Sequence, residues 1–248
     1  MYKRQAHIGV IQVLEESGLR PDLVVGTSAG SLVAALYAVG RSGAELGQMA
    51  DRMDESAITD WAFPGRGLFR GEALARFVRE QTGGRTIEQM RMPLGIVATD
   101  LDSGAPILFR QGDTGTAVRA SSAVPAIFQP VRIGAREYVD GGLVSPVPVR
   151  FARQMGAELV IAVDISQAPE GGATGDALRM LLQTFSIMSR SINGFELRDA
   201  DVVLRPALGG LSGADFSNRQ RAIQAGRDAA SAALNDLRRQ VASKSVPM

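Results

Sequence analysis

Apolar residues three and four apart alternate along the chain with short continuous apolar runs, the pattern of helices interleaved with buried strands. Ile8, Ile11 and Leu14, with Val10 and Val13 beside them, form one stripe and predict a helix over 6–17 that stops at Gly18. Leu23, Val24 and Val25 predict a strand, and a helix over 31–39 follows almost at once. Ser42 and Glu45 make a capping box for a helix running to Met53. The irregular apolar stretch 61–69 reads either as a loop over a pocket or as a buried connection. A helix over 71–81 carries Leu74, Phe77 and Val78 on one side, and 86–90 is a short helix or turn.

Strands are predicted at 94–100, 106–109, 128–133 and 136–139, the last two joined as a hairpin at Gly134-Ala135. Between them lie a turn at Asp102-Ser103-Gly104 and an Ala/Ser-rich helix over 116–124, ended by Pro125. A helix over 146–155, a strand over 158–165, a loop over 169–175, a long helix over 176–198, a strand over 201–205 and a helix over 218–241 complete the order, with 242–248 a frayed tail. In the long helix Leu178, Leu181, Leu182, Phe185, Met188, Ile192 and Phe195 recur at helical spacing and read as core packing rather than lipid contact. The final helix turns Ile223, Ala230, Leu234, Leu237 and Val241 inward. The alternation implies an α/β protein of three layers, α/β/α, with a mostly parallel central sheet plus an antiparallel hairpin. Without a repeat, a charge run or a clear linker, residues 1–248 are expected to form a single domain.

Composition narrows the function. With 45% hydrophobic and 21% charged residues the chain is a folded globular protein rather than a disordered one. A net charge of +1 gives no field for nucleic acid, and the arginines at 219, 221, 238 and 239 read as a solvated helix face. The chain lacks cysteine, a bilayer-length apolar run and a secretory leader pattern, which fits a cytoplasmic protein. No metal-ligand set or cofactor motif is apparent, so neither is expected. The single histidine is His7, which reads as a partly exposed side chain at the front of the first helix.

The chemistry centres on Gly26-Thr27-Ser28-Ala29-Gly30, a G-x-S-x-G sequence between a strand and a helix. That context lifts a serine hydroxyl out of a sharp turn, and the flanking glycines are expected to avoid a Cβ clash. The N–H of Ala29, at the helix start, points where an oxyanion would form. A Ser, acid, His triad in α/β-hydrolase order is impossible because no histidine follows Ser28. Asp140 is the best alternative base: it ends a strand, and Gly141 and Gly142 leave its carboxylate unhindered. A carboxylate about 3 Å from the Ser28 hydroxyl can accept its proton if the carboxylate's pKa is raised.

A G-x-S-x-G turn followed by Asp-Gly-Gly, with no usable histidine, resembles the patatin-like phospholipases. Further segments are similar to theirs in the same order: Ala6-His7-Ile8-Gly9-Val10, Ala98-Thr99-Asp100-Leu101, and Arg119-Ala120-Ser121-Ser122-Ala123-Val124-Pro125-Ala126-Ile127-Phe128-Gln129-Pro130. The likeness spans about 6–165 and is nearest the compact bacterial members of the neuropathy-target-esterase branch. It implies a serine lipid acyl hydrolase with a Ser28–Asp140 dyad, an acyl-enzyme intermediate, and phospholipid, lysophospholipid or other acyl-ester substrates, and it leaves open peripheral membrane contact or dispersed substrate.

The resemblance departs at its start. The family opens with a strand and a Gly-Gly-Gly-x-Arg-Gly loop that supplies oxyanion donors, where this chain has Met1-Tyr2-Lys3-Arg4-Gln5. The expectation is therefore a chain truncated at its N-terminus, with Ala29 N–H as the one nameable donor and much weaker activity. A catalytically weak or inactive scaffold that binds lipid or regulates is the alternative. Acyl transfer from a thioester carrier would want a histidine after the serine and is disfavoured.

Overall fold

The computed structural model describes residues 4–52, 60, 66–166, 177–209 and 216–244. The loop expected over 169–175, residues 61–65 of the irregular stretch, Met53, Asp176 and residues 245–248 lie outside them. The order is α1 (Gln5–Glu16), β1 (Val24–Thr27), α2 (Ala29–Ala38), α3 (Gly43–Arg52), β2 (Gly67–Phe69) and α4 (Glu72–Thr82). Next come β3 (Leu94–Asp100), β4 (Pro106–Phe109), α5 (Thr114–Ser121), β5 (Ala126–Phe128), β6 (Val131–Ile133) and β7 (Arg136–Asp140). Then follow α6 (Val149–Gln154), β8 (Ile161–Val163), α7 (Ala177–Glu196), β9 (Val202–Leu204) and α8 (Phe216–Lys244).

β3 is the backbone of the central sheet, and all seven of its residues are buried. It pairs with β1 in parallel at 94–97, with β7 antiparallel at 98–100 and with β4 antiparallel at 96–99. A strand has two edges. β4 occupies one of them over 96–99, so β1 and β7 must share the other, lying end to end. Thr27 faces Val97 and Asp140 faces Ala98, so the C-terminal ends of β1 and β7 meet there. β6 completes this sheet against β7, while β2–β5 and β8–β9 form separate parallel pairs. The three layers stand, but the central sheet is mixed rather than mostly parallel. The turns after β3 and β6 are too short for the crossover that a parallel partner needs.

On one face of β3, Leu94 and Ile96 pack with α2, α4 and α5 through Leu32, Leu36, Leu74, Val78 and Val118. On the other, Gly95 faces Met155 at the end of α6. α1 and α8 pack together, joining Val10, Val13 and Leu14 to Leu204, Ala230 and Leu237. Their backbones nearly touch: a Cβ on Gly9 would stand 1.9 Å from the Ile223 carbonyl oxygen, and one on Gly226 2.0 Å from that of Ala6. Arg227 grips both carboxylate oxygens of Glu16 at 2.8 Å beside this contact.

The helix predicted at 42–53 carries its capping box: Ser42 N–H donates to Glu45 (2.7 Å) and Glu45 N–H to the Ser42 hydroxyl (3.2 Å). α7 departs from expectation. The helical spacing of its apolar residues predicts core packing, yet Leu181, Met188 and Phe195 are exposed, as are Met180 and Ile187. Leu178, Leu182, Phe185 and Ile192 are half-buried, and Asn193 is its only buried residue among those described. The helix is apolar on two sides, and only one side meets the protein. Among the described residues no helix is long and apolar enough to cross a membrane.

Candidate active site

β1 ends at Thr27, and α2 begins at Ala29. Ser28 alone makes the turn, with φ 51° and ψ −122°, a conformation that costs a non-glycine residue about 1–3 kcal/mol. Packing holds it there. Its N–H donates to the Ser121 hydroxyl at 2.8 Å, and that hydroxyl donates to the Val97 carbonyl at 2.6 Å. Its carbonyl accepts from the Ser31 hydroxyl at 2.7 Å and the Ser31 N–H at 2.9 Å. One residue earlier, Thr27 donates to the Ser145 carbonyl at 2.8 Å.

The steric argument for the flanking glycines holds on one side only. A Cβ on Gly26 would stand 2.5 Å from the Gly30 carbonyl oxygen and 2.6 Å from Ser31 Cα. A Cβ on Gly30 would meet nothing nearer than His7 Nε2 at 3.8 Å, so no clash accounts for a glycine there. Gly141 is as constrained as Gly26, its added Cβ falling 2.3 Å from the Val97 carbonyl oxygen.

The half-buried Ser28 hydroxyl donates to Asp140 Oδ2 at 2.6 Å, although 112 residues separate the two. The junction of β1 and β7 on β3 brings them together. Asp140 is 1% exposed, its Oδ1 accepts the Gly142 N–H at 2.7 Å, and its carbonyl accepts from Thr99 at 2.8 Å. Burial raises the Asp140 pKa from 3.8 to about 6 against the opposing pull of the Ser28 and Gly142 hydrogen bonds. At pH 7 the group is therefore mostly ionised, yet a much stronger base than a solvated aspartate.

His7 sits against the first turn of α2, half-buried, with Nδ1 3.0 Å from the Arg4 carbonyl. Burial holds its pKa below the ordinary value. Asp100 is engaged by Arg136 and by Ser103, which keep its carboxyl low, at about 2. Ser121, Thr99 and Ser145 were not legible as site residues. Ser121 stood inside the quoted 119–130 segment, but nothing in that run distinguishes Ser121 from Ser122.

The family model for patatin-like phospholipases matches residues 5–153. The chain belongs to the patatin-like phospholipase family. An NTE family protein of Mycobacterium tuberculosis is 33% identical to this patatin-like chain over 189 residues, 75% of the chain and 52% of the relative. The human patatin-like phospholipase domain-containing protein 6 is 33% identical over 183 residues, 70% of the chain and 13% of that protein. The patatin-like chain thus spans about half the length of the mycobacterial relative and a small part of the human one. In fold it is similar to VipD from Legionella pneumophila, with a TM-score of 0.65 and 15% identity, covering 95% of this chain and 65% of that one.

Ser121→Ala is expected to remove the anchor of the turn. It leaves the Ser28 N–H without its partner, at a cost of about 1–3 kcal/mol. Urea unfolding should show a lower midpoint with an unchanged slope.

Proposed function

We propose that the protein hydrolyses acyl esters of phospholipids and lysophospholipids, with Ser28 as nucleophile and Asp140 as general base. The observation that carries this reading is the 2.6 Å hydrogen bond from the Ser28 hydroxyl to a buried carboxyl group, Asp140. Asp140 takes the Ser28 proton as the oxygen attacks the ester carbonyl. The tetrahedral oxyanion lies at the N-terminus of α2, where the Ala29 N–H and the helix dipole favour negative charge. Collapse of the intermediate expels the alcohol, which takes the proton from Asp140 and leaves an acyl-Ser28. Water then attacks the acyl-enzyme. Asp140 removes its proton and returns one to Ser28, releasing the fatty acid.

No imidazole is needed, because burial has already lifted the carboxylate toward neutral pH, where a base works best. Membership of the patatin-like phospholipase family supports the lipid-ester substrate class.

A fluorophosphonate probe, which modifies serines activated as nucleophiles, tests the reading. Intact-protein mass spectrometry should find one adduct, mapped to Ser28 and absent from Ser28→Ala. Labelling should rise as pH increases through about 6, as Asp140 ionises. An unmodified Ser28 at pH 8 would leave a non-catalytic lipid-binding scaffold as the better account.

A further inference from the structure

The outer face of α7 is the largest exposed apolar feature among the described residues. Met180 is 56% exposed, Leu181 46%, Ile187 51%, Met188 50% and Phe195 65%. They lie seven apart as 181, 188 and 195 and as 180 and 187, two adjacent rows that together make one broad exposed face along a helix about 30 Å long. A stripe of this size on a folded protein marks a contact surface.

The inner face of the same helix rests on the candidate active site. The Phe185 ring comes within 3.1 Å of where a Cβ on Gly142 would stand, and Ser189 donates to the Gly142 carbonyl at 3.0 Å. Near the helix end, the single hydroxyl proton of Ser145 is shared between the two carboxylate oxygens of Glu196, and the Ser145 carbonyl holds Thr27. Whatever covers the outer face is therefore about one helix diameter, some 10 Å, from the turn that carries Asp140.

Charge identifies the occupant. From Ala177 to Phe195 the helix carries Arg179 and Arg190 and no acidic residue. Arg198 follows, with its guanidinium 5.0 Å from the centre of the Phe195 ring. A second copy of this chain would set Arg190 against its own equivalent, and the one carboxylate between Ala177 and Arg198, Glu196, is turned inward onto Ser145 and Arg150 and cannot answer it. An anionic lipid surface supplies the apolar depth for the methionines and phenylalanine and the negative head groups for the arginines. We propose that α7 lies in the interface of an anionic phospholipid surface and holds the Ser28–Asp140 site against it. The delivery of substrate rests on the hydrolase reading above; the docking does not.

The test pairs vesicle binding with hydrolysis of a dispersed ester. The protein is sedimented with phosphatidylcholine–phosphatidylglycerol vesicles and with pure phosphatidylcholine vesicles, and p-nitrophenyl butyrate turnover is measured alongside. Met188→Glu with Phe195→Glu changes two exposed side chains, and thermal melting confirms that the fold persists. Expected are preferential binding to the mixed vesicles, weakened by salt, and a loss of about tenfold or more in the variant, with butyrate turnover unchanged. Arg190→Glu should weaken binding to the mixed vesicles alone. Equal vesicle binding by the Met188/Phe195 variant and the parent, or none by the parent, overturns the proposal. So does a dimer, seen by light scattering, that the variant dissolves while vesicle binding stays the same. Vesicle binding without butyrate turnover in the parent would refute the hydrolase reading and support the docking.

Discussion

Ser28→Ala is expected to lower p-nitrophenyl butyrate hydrolysis by roughly 10⁴-fold or more, Asp140→Asn by about 10²–10⁴-fold, and the double variant little further than Ser28→Ala alone. The near-equality of the double variant and Ser28→Ala is the informative part. The two groups share one proton along a 2.6 Å hydrogen bond, so removing either disables the other. Full activity in Asp140→Asn would sink the dyad. Loss of folding would not explain the result, because asparagine mimics the neutral form that the buried position favours.

The same substitution separates activity from stability. Asp140 has its folded-state pKa raised from 3.8 to about 6 by burial. The protonated form is thus the better fit to the fold. Its stabilising contribution is complete below the unfolded value and is lost as pH rises through about 6. The full loss is worth roughly 3 kcal/mol. Hydrolysis should climb over the interval in which this contribution disappears. Asp140→Asn should melt much like the parent near pH 4 and above it at pH 8, as differential scanning calorimetry can show.

The second large effect lies at the contact of α1 with α8. Gly226→Val is expected to cost about 3 kcal/mol or more, because the new Cβ would sit 2.0 Å from the Ala6 carbonyl oxygen and 2.8 Å from its carbon. Those are backbone atoms, and no rotamer change relieves them. The helices α1 and α8 must separate, which opens the Val10, Val13, Ala230 and Leu237 cluster. For a protein of this size the melting temperature should fall by roughly 6–12 °C. Gly194→Ala is the control. A Cβ there meets nothing within 4 Å, so removing this glycine from the last turn of α7 should stabilise by at most about 0.5 kcal/mol.

Much of this was legible in the sequence, for local reasons. The Ser42–Glu45 box, the apolar stripe of α1 and the strand, serine, helix order at 24–38 are encoded within a few residues of each other. Non-local facts were not. The pairing of β2 with β5 joins two three-residue strands that carry too little pattern to find one another. Periodicity marks α7 as apolar without saying which side the protein covers, so its exposed face has the same sequence pattern as a core face. Ser28 and Asp140 were legible as residue types in a motif, but their separation depends on a register among three strands. The role of Ser121 belongs to that register as well, since its hydroxyl spans Ser28 and Val97.

The abutment of β1 and β7 on one edge of β3 also governs how the chain tolerates insertions and deletions. Adding or removing residues in the connections between 28 and 140 leaves both strand ends where they are. One extra residue within β7 would move the Asp140 carboxylate about 3.4 Å along the ladder and turn it to the opposite face. Length can therefore drift across most of the intervening chain, while in 136–140, which begins one turn after β6, a single added codon would abolish the site.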